Sequence, residues 1–329
     1  MFEQFLNARS LPLEDFREKI TGGAGWDKAS FLTAIESDQF ATDTLAIKTH
    51  PLLRLSNGRV LILDIQYVSE LLIYGLYWRI VGSLARKQGD KFISLWGRLF
   101  ELYLCDLFGH FYPAAAQVLS TDVSYKGGQI DALLDFGEDV VIFEFKASLL
   151  KDGTKKSRDL KLFEEEVTEK FIETRKKEPK ALRQLANAAT ALRNGVVKTA
   201  VKPKRIYPVL IGYEPILESF FMNTYLQERF REFVPKTGND VVVQPVTAMS
   251  VDELEHLLPY AQAGAFTWKE LLTERFNRDR VKGLSVHQTL YDLCQKKNVA
   301  VKRNMFLLQG FDEIFTAILA RYRREDSNQ

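Results

Sequence analysis

Between Ala116 and Ala147 the chain alternates strand-forming runs with glycine turns, and this stretch limits the fold more than any other. Three strand candidates, Ala116–Ser124, Gln129–Phe136 and Asp139–Ala147, are separated by Gly127-Gly128 and by Gly137-Glu138-Asp139. Connections that short join antiparallel neighbours, so the spacing predicts a three-stranded meander. A helix from Lys91 to Phe111 precedes it, stopped by Tyr112-Pro113. A charged helical segment follows from Asp159 to Lys177, then the alanine-rich helix KALRQLANAATALRN closed by Gly195, then the apolar run RIYPVLIGY. The expected core is therefore α/β (α+β): helix, antiparallel meander, helix, strand.

The second and third strands, IDALLDFGEDVVIFEFKAS, carry charges that a buried sheet does not tolerate cheaply. Side chains alternate faces along a strand, so Ile142, Glu144 and Lys146 share one face and Phe143 and Phe145 the other. Pairing across the turn at Gly137 is expected to bring Asp131 to the same end of the hairpin as Glu144. Two carboxylates at one place repel each other, and a divalent cation would compensate them. A lysine beside them could orient water or meet charge developing on a phosphate, which fits metal-assisted phosphodiester hydrolysis. Taken singly, Glu144 and Lys146 also read as a surface ion pair and Asp131 as a residue near a turn.

The preceding helix adds a third acid. In GRLFELYLCDLF, Glu101 shares a face with Gly97, Leu104, Cys105 and Phe108, an acid on an apolar stripe with a glycine that could allow close approach. Pairing of Glu101 with Arg98 is the plain alternative.

Glu101 in a helix, Gly128-x-x-Asp131, and Glu144-x-Lys146 at the end of an apolar strand, followed by helix and strand, resemble the PD-(D/E)xK (restriction-endonuclease-like) nuclease superfamily over residues 91–213. Ile130 stands where the motif's name has proline. The resemblance implies that Asp131, Glu144 and the Phe145 carbonyl bind Mg²⁺ or Mn²⁺, that Glu101 completes the metal shell, and that Lys146 serves the attacking water. It also implies a polar residue from the following helix, for which Gln184 is the candidate; the tyrosine that accompanies it in exonuclease-like branches is missing. The expected activity is DNA hydrolysis, endonucleolytic rather than exonucleolytic, in restriction, repair or defence against foreign DNA. The alternative is an inactive nuclease-fold module that binds nucleic acid or a protein partner.

Charge distribution bears on the substrate. Net charge is +2, but residues 146–205 carry +9 against −6 before them and −1 after. In an insertion at 151–179, Lys151, Lys155, Lys156, Arg158 and Lys161 are candidate phosphate contacts, as is Lys126 in the first glycine turn. A solvated helical face would look the same. Cys105 and Cys294 form no CxxC pair, which excludes a thiolate zinc site and suits a reducing cytoplasm. His50, His110, His256 and His287 are scattered, so spacing shows no histidine cluster and any metal is expected on carboxylates. No GxxxxGK[ST], GxSxG or HExxH pattern occurs, and TGGAGWDKAS lacks phosphate-loop spacing.

Around the core, residues 1–90 read as a mostly helical region with a short hairpin at HPLLRL-SNG-RVLILD, and 214–329 as a mostly helical region with one short strand, DVVVQPV. A helix is expected from Gln66 to Lys87, broken at Gly89-Asp90. LILDIQYVSELLIYGLYWRIVGSL carries Asp64, Glu70 and Arg79, too many charges for a membrane span. These flanking helices could supply a dimer or partner interface.

Overall fold

The computed structural model describes residues 10–12, 52–54, 60–157, 159–235, 240–277 and 285–326. The chain divides into two compact units, residues 1–95 and 96–329. In the first, β1 (Ser10–Pro12) runs parallel to β2 (Leu52–Arg54), which pairs antiparallel with β3 (Val60–Ile62). The expected hairpin is β2–β3; its Asn57-Gly58 turn and the TGGAG segment lie outside the described residues. Asp64 caps α1 (Ile65–Glu70) by accepting from the Gln66 and Tyr67 amides. A π turn (Leu71–Gly75) continues it into α2 (Leu76–Ser83).

The break after α2 falls at Leu84, whose backbone is extended, and not at Gly89-Asp90. Both of those residues lie inside α3 (Arg86–Phe111), which runs through the boundary between the units. A single glycine costs a helix only about 1 kcal/mol, which a long helix absorbs.

The second unit is built on a mixed open sheet in the order β4-β5-β6-β7-β8. Strands β4 (Leu119–Tyr125), β5 (Gly128–Phe136) and β6 (Asp139–Lys146) form the antiparallel meander. Gly127 and Gly137 take the positive φ their turns need. Parallel to β6 lies β7 (Arg205–Gly212), which pairs in parallel with β8 (Val242–Val243) at its start and β9 (Thr247–Ser250) at its end. The C-terminal region thus supplies two strands rather than one. TAMS is too short and mixed to read as a strand alone; pairing with β7 makes it one.

Helices cover both faces. Between β6 and β7 come α4 (Asp152–Lys156), α5 (Leu160–Val167) with a π turn (Thr168–Ile172), and α6 (Ala181–Arg193). The charged helix therefore ends at Ile172, five residues before Lys177, and Glu173 then bridges to Pro179. The alanines of α6 let its backbone sit close to the sheet, against Ile130, Leu133, Ile142 and Leu210. On the same face lies α7 (Phe220–Phe233). The opposite face is covered by α3, α8 (Val251–Gln262), α9 (Trp268–Asn277) and α10 (Val286–Lys297), around Phe143, Phe145, Val209 and Ile211. Last comes α11 (Met305–Asp326), which carries the helix into the terminal REDSNQ. Among the described residues, no helix is long and apolar enough to cross a membrane.

Candidate active site

The alternation along β6 is realised as its sequence implies. Val141, Phe143 and Phe145 point into one core, where Phe143 and Phe145 pack on Phe108 with ring centroids 4.7 and 5.9 Å away. Val140 and Ile142 point into the other core, and Glu144 and Lys146 continue that row. Glu144 is only 5% exposed, while Lys146, at the end of the strand, is half-buried.

Asp131 is placed by a defect in the sheet. The β5–β6 pairing stops at Ala132–Phe143, and on the other side β4 pairs Thr121 with Ala132 and Val123 with Ile130, skipping Asp122 and Asp131. Asp122 has a positive φ of 54°. Ile130 and Ala132 are two apart yet lie in opposite cores, so β5 turns over at Asp131. The expected rung between Asp131 and Glu144 is therefore replaced: Asp131 Oδ2 accepts the Phe145 amide at 2.7 Å. The side chain takes a hydrogen bond where the ladder ends, and this ties Asp131 to the Glu144–Lys146 segment.

Burial and like charge shape the electrostatics. Burial pushes the Asp131 carboxyl up to about 6, with nearby Glu101 and Asp122 adding to the rise and the Phe145 amide and Lys146 opposing it. Glu144 is held well above the usual carboxylate range, by burial first and then by Asp131, with Lys146 opposing. Glu101 is exposed by area, yet enough protein surrounds its carboxyl to raise its pKa, with Lys146 opposing. Glu101, Asp131, Glu144 and Lys146 thus lie within electrostatic reach of one another. Gly97 is in open space, so the close approach it could have allowed is not used.

Three further groups border this cluster; Asp122 and Lys180 carried no signal in the sequence beyond their type, while Cys105 follows from the helical face it shares with Glu101. Asp122 receives a hydrogen bond from Gln129 Nε2 at 2.6 Å and faces Asp131 electrostatically. Lys180, just ahead of α6, has its pKa lowered by burial and by Lys146, and donates to the Glu169 carbonyl at 2.7 Å. Cys105 is pushed up to about 11 by burial and the surrounding acids, so it stays a thiol at neutral pH rather than a nucleophile. Gln184 is half-buried one helical turn beyond Lys180.

The donors Asp131, Glu144, Glu101 and the Phe145 carbonyl are all oxygens, the set a hard dication takes, and the clustered acids have a charge excess that Lys146 alone does not balance. They fit Mg²⁺ or Mn²⁺ in chemistry. The three acids are not drawn as close as two other groups among the described residues, Asp252–His256–His287 and Glu218–Glu253–His287, whose donor atoms lie within 4.8 Å of one another.

The basic segment is less open than its charge suggests. Lys126, Lys151 and Lys161 are exposed, but Lys155 Nζ lies 2.9 Å from Oε1 of Glu214, a carboxylate 1% exposed that also accepts the Leu150 amide at 2.6 Å. Lys155 is thus committed to the loop after β6. Arg158 and the Lys156 side chain lie outside the described residues. Much of the remaining positive charge is spent on neighbours: Arg175 on Glu169, Lys177 and Arg183 on Glu173, Lys204 on Glu138 and Arg205 on Asp139. A scan against protein families, a search of curated proteins and a search of solved structures each found no match to this chain.

Proposed function

We propose that the chain is a divalent-metal-dependent nuclease with a PD-(D/E)xK core, acting on DNA. The observation that carries this reading is the pair of mutually repelling carboxylates, Glu144 buried and Asp131 half-buried, held beside Lys146 where strand β5 turns over. Two acids of which one raises the other's pKa gain the fold nothing by themselves; a bound cation would offset their charge. Asp131, Glu144 and the Phe145 carbonyl would hold Mg²⁺ or Mn²⁺, with Glu101 on α3 as a further ligand. The ion, when bound, would supply Lewis-acid polarisation of a phosphate oxygen and a lowered water pKa.

The chain's own groups account for the rest. The Phe145 amide keeps the Asp131 carboxylate oriented toward the Glu144–Lys146 strand end. Lys146, half-buried on the same face, can donate to the attacking water and offset charge developing on the phosphate. Gln184 and Lys180 stand at the start of α6 and can position a substrate phosphate. Exposed Lys126, Lys151 and Lys161 supply the non-specific attraction for a polyanion.

The experiment is cleavage of linear and plasmid duplex DNA in Mg²⁺ or Mn²⁺ by the wild type, Asp131→Ala and Lys146→Ala. Both variants are expected to lose cleavage by at least about a hundredfold. Cleavage retained by both would overturn the assignment. DNA binding without cleavage by the wild type, unchanged in both variants, would favour the inactive binding module.

A further inference from the structure

On the far side of the sheet, two of the histidines scattered in sequence come together. We infer that Asp252 and His256 on α8 and His287 on α10 form a site for a borderline transition-metal ion such as Zn²⁺, bridging the two helices. Their donor atoms lie within 4.8 Å of one another, and the two imidazoles meet edge to face with centroids 4.8 Å apart. The inference does not rest on the nuclease reading and uses none of its residues.

The ligands are pre-positioned by contacts that owe nothing to a metal. Asp252 and His256 are i and i+4 on α8, hence on one face. His256 Nδ1 lies 2.9 Å from the Asp252 carbonyl oxygen. A carbonyl only accepts, so Nδ1 carries the proton, and Asp252 Oδ2 lies 3.9 Å from the same nitrogen; a metal would be met by Nε2, which keeps its lone pair, or by Nδ1 once it gives up that bond. His287 is placed by the junction of α8 with α10: Glu253 Oε1 accepts the His287 backbone amide at 3.1 Å, which fastens the first turn of α10 to α8. Ser285 caps α10, and Ser250 with Glu253 forms a capping box on α8, so both helix starts are held.

Glu218, Glu253 and His287 form a second close group, but Glu253 already spends its oxygens on the amides of His287 and Ser250. That commitment favours the outer set. Two imidazoles and one carboxylate are a donor set for zinc and its neighbours rather than for Mg²⁺. His256 and His287 line a cleft of about 670 Å³ together with Tyr260, Leu290, Tyr291 and Cys294, and Asp252 is exposed beside it. Three protein ligands with one open position allow a water or a small ligand there.

The test is titration of chelator-treated, dialysed full-length protein with Zn²⁺, read by calorimetry and by thermal shift. With the carboxylate cluster held by millimolar Mg²⁺ throughout, one tight zinc per chain is expected for the wild type, with a raised melting temperature. Affinity should fall at least about tenfold in His256→Ala and in His287→Gln, and stay unchanged in Asp131→Asn. Because His256 is exposed, its replacement should leave the far-ultraviolet circular dichroism intact. No stoichiometric zinc binding, or equal binding by both histidine variants, overturns the site. Loss of zinc binding in Asp131→Asn would also overturn it, by placing the ion at the carboxylate cluster.

Discussion

Replacing Asp131 with asparagine separates what the carboxylate does for folding from what it does for function. The amide oxygen of asparagine can still accept the Phe145 amide, now held at 2.7 Å, so the tie between β5 and β6 survives. Only the charge is lost. Burial, Glu101 and Asp122 raise that carboxyl from 3.8 to about 6. At about 1.4 kcal/mol per pH unit, ionising it in the folded protein costs about 3 kcal/mol more than in the unfolded chain. A carboxyl with a raised folded pKa binds its proton more tightly when folded. The contribution of Asp131 to stability is therefore most favourable below about pH 4, falls as pH rises toward about 6, and carries the whole penalty above that. In EDTA at pH 7.5, Asp131→Asn should be more stable than wild type by up to about 3 kcal/mol. At about 2–4 °C per kcal/mol for a domain of this size, that is a melting-temperature gain of up to about 6–12 °C. At pH 3.5 the difference should nearly vanish. Millimolar Mg²⁺ should raise the wild-type melting temperature and leave the variant's alone. Scanning calorimetry of both proteins in EDTA and in Mg²⁺ tests this directly. A variant less stable than wild type at pH 7.5 in EDTA would refute the claim that Asp131 is held against its own electrostatics.

Glu214→Ala should cost about 3 kcal/mol in urea unfolding, because it strands the Leu150 amide and Lys155 beside the strand carrying Glu144 and Lys146; a loss under about 0.5 kcal/mol would mean that the carboxylate is not what fastens that loop. Asp139, whose pKa is lowered first by its hydrogen bond with Arg205, should contribute stability that is full above about pH 4 and lost as pH falls through its lowered folded value. Asp139→Asn should flatten that acid limb, and an unchanged pH–stability curve would count against the pair.

The meander was legible because its signals are local. Glycine turns at 127–128 and 137 need only a positive φ, and period-two alternation along β6 assigns Phe143 and Phe145 to one core and Glu144 to the other face. Helix α10 rests on equally local signals: Ser285 caps it, and Val286, Leu290 and Leu293 mark its buried stripe. The break at Leu84 was not legible, since Gly89 offered the stronger local signal and only the extended backbone of Leu84 ends α2. The basic block misled in part because sequence shows a lysine's charge and not its partner; Glu214, 59 residues from Lys155, cancels it.

By itself, then, the sequence determined which residues could carry chemistry: an acid at 131, an acid and a lysine two apart on one strand face, and an acid on the preceding helix. Periodicity and turn residues act within a few positions, and such rules reach that far and no further. Tertiary structure decided how those residues meet. The reversal of β5 at Asp131 arises because neither flanking strand pairs with it, and this exchanges a backbone rung for a side-chain hydrogen bond. The meeting of His256 with His287 depends on Glu253 fastening one helix start to another helix, a contact across 34 residues that no local pattern encodes.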